Sequence, residues 1–264
     1  NKFDHDELYQ VFDLCVSCKA CASECPSNVD IASLKAEFLY QYQKANGFSK
    51  RNKIFAYNAT LNTLGSLTPT FTNWVSNLAL VKKTMGIAPQ RVVPHLAPTT
   101  FRNWVKKNRK DAATTLYPNG QVYLFCDEFT NFYDVGVGVD TYELLTQLGY
   151  QVVIIDHQES GRAFISKGFL EQAKTIATRN VAIFKNIVSA ETPLLGIEPS
   201  AILTFRDEYL RLAEDKAGAE QLAKHVFTIE EFFKREIEKG AIRAEHFSDQ
   251  AQSIKIHGHC HQKA

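Results

Sequence analysis

No stretch of the chain approaches the roughly 18 to 20 uninterrupted apolar residues that cross a bilayer as a helix, so no transmembrane segment is expected. The opening Asn1-Lys2-Phe3-Asp4-His5-Asp6 lacks the basic-then-apolar order of a secretion signal. Charge of one sign is also missing: 30 Lys and Arg stand against 29 Asp and Glu, a formal net charge of +1. A broad field able to hold a nucleic-acid backbone is thereby excluded. Cysteine is scarce, with six in 264 residues, and four of them fall between positions 15 and 25. That distribution excludes a disulfide framework and points to metal ligation in a reducing compartment, the cytoplasm by default.

What is present is ordinary globular material, 45% hydrophobic and 22% charged, enough for one large domain or two modest ones. The chain starts without Met and stops at His259-Cys260-His261-Gln262-Lys263-Ala264, a reactive run where a domain would not normally end, so both ends read as artificial. Asp30 can cap a helix whose apolar positions 31, 34, 38 and 39 recur at helical spacing before Gly47 closes it. Further amphipathic stretches run from about 52 to 88, punctuated by Gly65 and Pro69. A helical domain is therefore expected over 1–95. Pro89, Pro94 and Pro98 then lead through Phe101 and Trp104 to a basic run, Lys106, Lys107, Arg109 and Lys110, which reads as the solvated end of a linker over 96–114.

From position 121 the pattern changes. Short apolar or β-branched runs at 121–125, 152–155, 194–197 and 254–256 alternate with helical stretches at about 138–148, 163–189, 201–213 and 228–239. Such alternation predicts β-α-β crossovers and a parallel, doubly wound α/β domain over 115–264.

Cys15, Cys18, Cys21 and Cys25 make C-x2-C-x2-C-x3-C followed by Pro26, the spacing of ferredoxin-type 4Fe-4S ligation. Two-residue gaps let three thiolates reach three irons of one cube. The fourth cysteine is carried off by the onward chain, and in two-cluster ferredoxins it ligates the other cluster. Cys25 is accordingly expected to point away from the other three, with its partner ligands in sequence upstream. A structural zinc site is the competing reading, although its C-x2-C pairs are normally well separated.

With these residues in hand, the chain resembles the second ferredoxin motif and cysteine-rich region of large FAD-linked oxidases of the D-lactate and D-2-hydroxyglutarate dehydrogenase type. The resemblance is carried by 15–30 with Leu34-Lys35-Ala36-Glu37-Phe38, by Gly161-Arg162-Ala163-Phe164 through Gly168, by Gly196-Ile197-Glu198-Pro199-Ser200, by 204–209 and by 257–264. It implies that an FAD domain outside this sequence oxidises a 2-hydroxyacid and that electrons leave through iron-sulfur centres towards an unidentified acceptor. It also implies a cysteine-rich domain similar to a heterodisulfide reductase subunit. The pattern is incomplete, because Glu159-Ser160 stands where a double cysteine is expected and Ala201 where another cysteine often follows Glu-Pro-Ser. Of the first cysteine-rich repeat only Cys126 remains, and Cys260 would open a second. Gly136-Val137-Gly138 is no phosphate fingerprint, lacking the third glycine.

Placed on the expected sheet, the polar clusters all follow strands: Cys126-Asp127-Glu128, His157-Gln158-Glu159-Ser160, Glu198-Pro199-Ser200 and His257-Gly258-His259-Cys260. Ligands of open α/β folds bind outside the carboxyl ends of strands. A second metal site is therefore expected from Cys126, Glu159, Glu198, His257, His259 and Cys260, a donor set that suits zinc or iron(II). The same residues have plainer readings: Ser160 and Ser200 as helix caps, Cys126 as a small buried hydrophobe, Arg206 and Asp207 as solvated charges. The function expected overall is electron transfer within a multidomain oxidoreductase. A zinc-stabilised interaction module and a free-standing heterodisulfide-reductase-like subunit are the alternatives, and the latter would need the thiols this repeat lacks.

Overall fold

A computed structural model describes residues 4–108 and 116–263. They cluster into two units: the first joins 1–98, 161–176 and 259–264, the second 99–160 and 177–258. The boundary near 98 lies within the expected linker. The stretch 161–176, by contrast, was expected in the second domain and groups with the first unit.

The first unit is helical. Its elements up to residue 98 are α1 (Asp6–Asp13), α2 (Ala20–Glu24), α3 (Ile31–Asn46), α4 (Lys50–Ala56), α5 (Asn58–Gly65), α6 (Pro69–Ser76) and α7 (Ala79–Thr84), and helices Arg162–Ser166 and Cys260–Lys263 join them from later in the chain. The Asp30 carboxylate accepts from the Ser33 N–H at 3.0 Å and starts α3, while Gly47, at φ 87°, stops it. Ala32, Ala36, Phe38 and Leu39 form its buried stripe. Gln43, 2% exposed, ties the unit together: its amide donates to the Leu39 and Lys167 carbonyls and accepts from Asn52 at 2.9 Å. Gly168, at φ 70°, lies so close to α3 that a Cβ there would meet Leu39 and the Tyr40 backbone at 2.6–2.9 Å. Only glycine fits that crossing.

The second unit begins with α8 (Phe101–Asn108), inside what was expected to be linker. Buried Phe101 and Val105, one helical turn apart, explain why it folds. Arg109 and Lys110 lie outside the described residues. The remaining elements in chain order are β1 (Gln121–Phe125), α9 (Glu128–Phe132), α10 (Val135–Gln147), β2 (Gln151–Val153), α11 (Arg162–Ser166), α12 (Leu170–Phe184), β3 (Leu194–Gly196), α13 (Pro199–Ile202), a 3-10 turn (Leu203–Arg206), α14 (Glu208–Leu212), α15 (Lys216–Ala223), β4 (Val226–Thr228), α16 (Ile229–Glu238), a second 3-10 turn (Ala244–His246) and α17 (Cys260–Lys263).

The sheet runs β2-β1-β3-β4 and every pairing is parallel: Tyr123 is opposite Val153 on one side and Leu194 on the other, and Leu194 faces Val226. The parallel α/β expectation therefore holds, with one correction. Residues 254–256 are not a strand: Ile254 and Ile256 are 74% and 90% exposed, and Val226–Thr228 takes the fourth place. Three alternating residues with neither face buried offer the sheet nothing, whereas Val226 is 1% exposed. The helix expected over 163–189 is broken at Gly168, and that over 201–213 splits into α13, a 3-10 turn and α14. Phe125, Phe184, Leu194, Ile202, Phe205 and Tyr209 fill the core on one side of the sheet. Gly196 lets α13 approach β3 so closely that a Cβ would lie 2.3 Å from Ile202.

Candidate metal centre

The four clustered cysteines are half-buried and free. α1 ends at Asp13, and the chain then passes through Cys15 and Cys18 in a loop before α2 carries Cys21 and is capped by Cys25. Ser17, Lys19 and Asn28 adopt φ values of 56°, 63° and 51°, although none is glycine. Left-handed backbone at a side-chain-bearing residue costs on the order of 1–3 kcal/mol, and it gathers at ligand clamps. It also turns successive N–H groups towards one concavity, the device by which backbone receives anions, iron-sulfur clusters among them.

The sulfurs already receive such donors. The Ser17 N–H points to Cys15 Sγ at 3.4 Å, and the Ile31 N–H to Cys21 Sγ at 3.3 Å. Ile31 is the first residue of the 16-residue α3, so its amide brings the positive helix end to that thiol. Backbone N–H groups of Val29 and Ser27 lower the Cys25 thiol below its ordinary value. Beneath the loop Lys35, 7% exposed, donates its ammonium to the Cys15 carbonyl. Donors and a buried cation around four thiols suit an anionic thiolate-bound cluster. Among the described residues no three His, Cys, Asp or Glu side chains are gathered closely enough to hold a single metal ion. A cubane spreads its four thiolates over four irons, so its ligands need not converge as those of one ion do.

The strand-end residues of the second unit tell a different story. The strand order changes direction between β1 and β3, where such folds open a ligand crevice. Cys126, Asp127 and Glu128 follow β1, His157 to Ser160 follow β2, and Glu198 to Ser200 follow β3. Glu128 lies within electrostatic reach of both Glu159 and Glu198. Cys126, Glu159 and Glu198 thus each follow a strand, and several polar groups there serve the fold. Asp127 caps α9 through Phe129 and Thr130, both at 2.9 Å. Glu198 caps α13, taking the Ser200 N–H at 3.1 Å and its hydroxyl at 2.6 Å. His157 accepts the Cys126 N–H on Nε2 at 3.1 Å, so its proton sits on Nδ1 and is donated to the Gln158 carbonyl at 2.6 Å.

Burial, with the Arg102 charge second, pulls His157 down to about 3, so the ring is neutral. Burial pushes the Cys126 thiol up to about 12, against the pull of Arg102. Burial and then Glu128 raise Asp127 to about 7 and Glu159 to about 8. Glu159 Oε2 is buried with no hydrogen-bond partner, and its neighbour Glu128 disfavours a second negative charge.

The other expected ligands follow no strand. His257 lies in exposed chain, with no strand before it. His259 and Cys260 belong to the first unit, where α17 packs against α2. The expected second metal site, Cys126 with Glu159, Glu198, His257, His259 and Cys260, is therefore not formed by the described residues. The expected strand at 254–256 had placed His257, His259 and Cys260 there, and that strand does not exist. Sequence reasoning also missed Arg102, assigned to linker, whose guanidinium donates to the Ile155 carbonyl at 3.0 Å and interacts with Cys126. It missed Asn180 and Tyr209 too. Asn180 receives the Gln158 N–H and donates to the Glu159 carbonyl and to Tyr209, while the Tyr209 hydroxyl donates to the Ser160 carbonyl. No local signal marks these residues, because their partners lie far along the chain.

A family model described as a 4Fe-4S binding domain matches residues 8–29, the segment that holds this loop of four cysteines. Nearly the whole chain is also similar to D-2-hydroxyglutarate dehydrogenases. It is 25% identical to the Haemophilus influenzae protein over 253 residues, covering 91% of this chain and 24% of that protein. Against the Escherichia coli protein it is 28% identical over 235 residues, 82% of this chain and 22% of the relative. The Pantoea ananatis protein is 24% identical over 235 residues, with 83% and 22% covered. The chain thus spans less than a quarter of the length of these relatives. No solved structure matches. No helix among the described residues is long and apolar enough to cross a membrane.

Proposed function

We propose that this chain is the electron-transfer segment of a flavin-linked 2-hydroxyacid oxidoreductase, in which Cys15, Cys18, Cys21 and Cys25 are thiolate ligands of 4Fe-4S iron, Cys25 serving a second cluster completed by sequence upstream. The observation that carries this reading is the C-x2-C-x2-C-x3-C-P loop together with its N–H···S bonds and its three left-handed non-glycine residues. A 4Fe-4S cluster supplies one-electron chemistry when bound. The protein's own part is to place hydrogen-bond donors and a positive charge around the sulfurs and so to set how readily charge is accepted. The amides of Ser17, Ile31, Ser27 and Val29 offset negative charge on the sulfurs, and Lys35 adds a buried positive charge below Cys15. Hydrogen bonds and nearby charge of this kind are the established means by which a protein tunes such centres.

The similarity to D-2-hydroxyglutarate dehydrogenases supports an FAD-bearing portion as the electron donor, beyond the residues of this chain. D-2-hydroxyglutarate or a related 2-hydroxyacid would then be the substrate of the whole protein. The second unit favours a structural role over thiol chemistry, because Cys126 is buried and protonated and Ser160 and Ala201 occupy positions where the resembled pattern has cysteines.

The test is spectroscopic. Anaerobic reconstitution followed by dithionite should bleach the visible absorption reversibly and give a low-temperature paramagnetic signal. A reconstituted protein that shows neither would remove the electron-transfer reading.

A further inference from the structure

Between Glu37 and Asp111 the chain contains no acidic residue, yet twelve Lys and Arg fall in that stretch. The part of it in the first unit includes α5, α6 and α7, and these helices are inverted in polarity. α6 turns asparagines inward. Asn73 exchanges two hydrogen bonds with the Leu96 backbone, at 2.9 and 2.8 Å, and Asn77 accepts the Val93 N–H at 2.9 Å. Its large apolar side chains point the other way, with Phe71 and Trp74 61% and 62% exposed and their rings 6.0 Å apart.

The flanking elements repeat the arrangement. Ala59 and Asn62 are the buried positions of α5 while Leu64 is 62% exposed, Leu67 follows at 79%, and Leu80 of α7 stands at 73%. Asparagines thus attach α6 to its unit, and large hydrophobes of α5, α6 and α7 face water. Single exposed leucines are common, but leucines and aromatics at successive turns of neighbouring helices are not.

We propose that the outward face of α5–α7 rests on an anionic lipid surface, as a peripheral contact that spans nothing. Charge complementarity selects this occupant. Lys82, Lys83 and Arg91 adjoin the apolar side chains with no carboxylate among them, and each cation near an anionic bilayer contributes about 1 kcal/mol. Phe, Trp and Leu on one face with Lys and Arg beside them is the composition of helices that lie in the headgroup region. A protein-docking face would instead tend to be depleted in lysine and to have a rim carrying both signs. The contact is independent of the cysteine loop and of the reading given to it.

The experiment is co-sedimentation of the chain with phosphatidylglycerol-containing vesicles and with phosphatidylcholine vesicles, alongside quenching of Trp74 by brominated lipid. The expected result is partitioning onto the anionic vesicles that weakens with salt, with Trp74 quenched. The double variants Phe71→Ser/Trp74→Ser and Lys83→Glu/Arg91→Glu should each partition at least roughly tenfold less. All four side chains are exposed or flank exposed ones, and circular dichroism checks that the variants keep their helices. Absence from the anionic vesicle pellet, equal binding to neutral vesicles, or an unquenched Trp74 in the unaltered chain would overturn the proposal. So would salt-sensitive capture by an acidic protein surface in a chain that ignores vesicles.

Discussion

Ser160 donates both its backbone N–H, at 2.8 Å, and its hydroxyl, at 2.6 Å, to the Glu128 carboxylate, with both residues buried. In the resembled pattern this position carries a cysteine. Here a hydroxyl satisfies a carboxylate at the start of α9 and braces it to the chain that follows β2. Ser160→Ala should leave Glu128 short of a donor and cost about 1–3 kcal/mol, read by urea denaturation of the second unit. An unchanged midpoint would show that the brace contributes nothing.

Asp127 and Glu159 are held near pKa 7 and 8, above their ordinary values, chiefly by burial. The folded state therefore binds protons that the unfolded state has released. The stabilising contribution is fully present below about pH 4 and is lost as pH rises through 7 to 8. Replacing Glu159 by Gln should flatten that decline, and the variant should gain on the order of 1–3 kcal/mol relative to the parent at pH 8. Denaturation midpoints across pH 5–8 that run parallel in the two proteins would contradict the buried, protonated carboxyl.

The two outlying cysteines should differ sharply in reactivity. Cys126 is buried with its thiol pushed to about 12, whereas Cys260 is exposed. At a given pH a shift of that size leaves roughly a thousandfold less thiolate than an ordinary cysteine. Timed alkylation with peptide mapping should label Cys260 in the native protein and Cys126 only after denaturant is added. Comparable rates at both would mean that the pocket around Cys126 is open.

Gly168 offers a test of the helical unit. Its left-handed backbone and the closeness of Leu39 and Tyr40 leave no space for a side chain. Gly168→Ala should destabilise the unit by more than about 1 kcal/mol, seen as a lower thermal midpoint by circular dichroism.

These same residues show where a sequence can be read and where it cannot. α3 was legible because Asp30 and Gly47 act on the helix they bound, through hydrogen bonds and backbone freedom confined to a few residues. The cysteine motif was legible because its geometry is a matter of spacing. Ile254-Lys255-Ile256 was misread because alternation marks a strand only if one face is buried, and burial is decided by the competition for β3 that Val226–Thr228 wins. Arg102 and Asn180 could not be found locally, since what matters about each is a partner tens of residues away. That Cys126, Glu159 and Glu198 each follow a strand was legible from the pattern, but the capping by Glu198 and the burial of Cys126 depend on contacts that topology alone does not specify.

The central claim rests on the four clustered cysteines, and iron and acid-labile sulfide analysis after anaerobic reconstitution tests it most directly. The account predicts iron and sulfide in equal amounts in the parent chain and loss of both in Cys21→Ser. Stoichiometric zinc without sulfide, or a Cys21→Ser variant that retains a full complement of iron and sulfide, would contradict it.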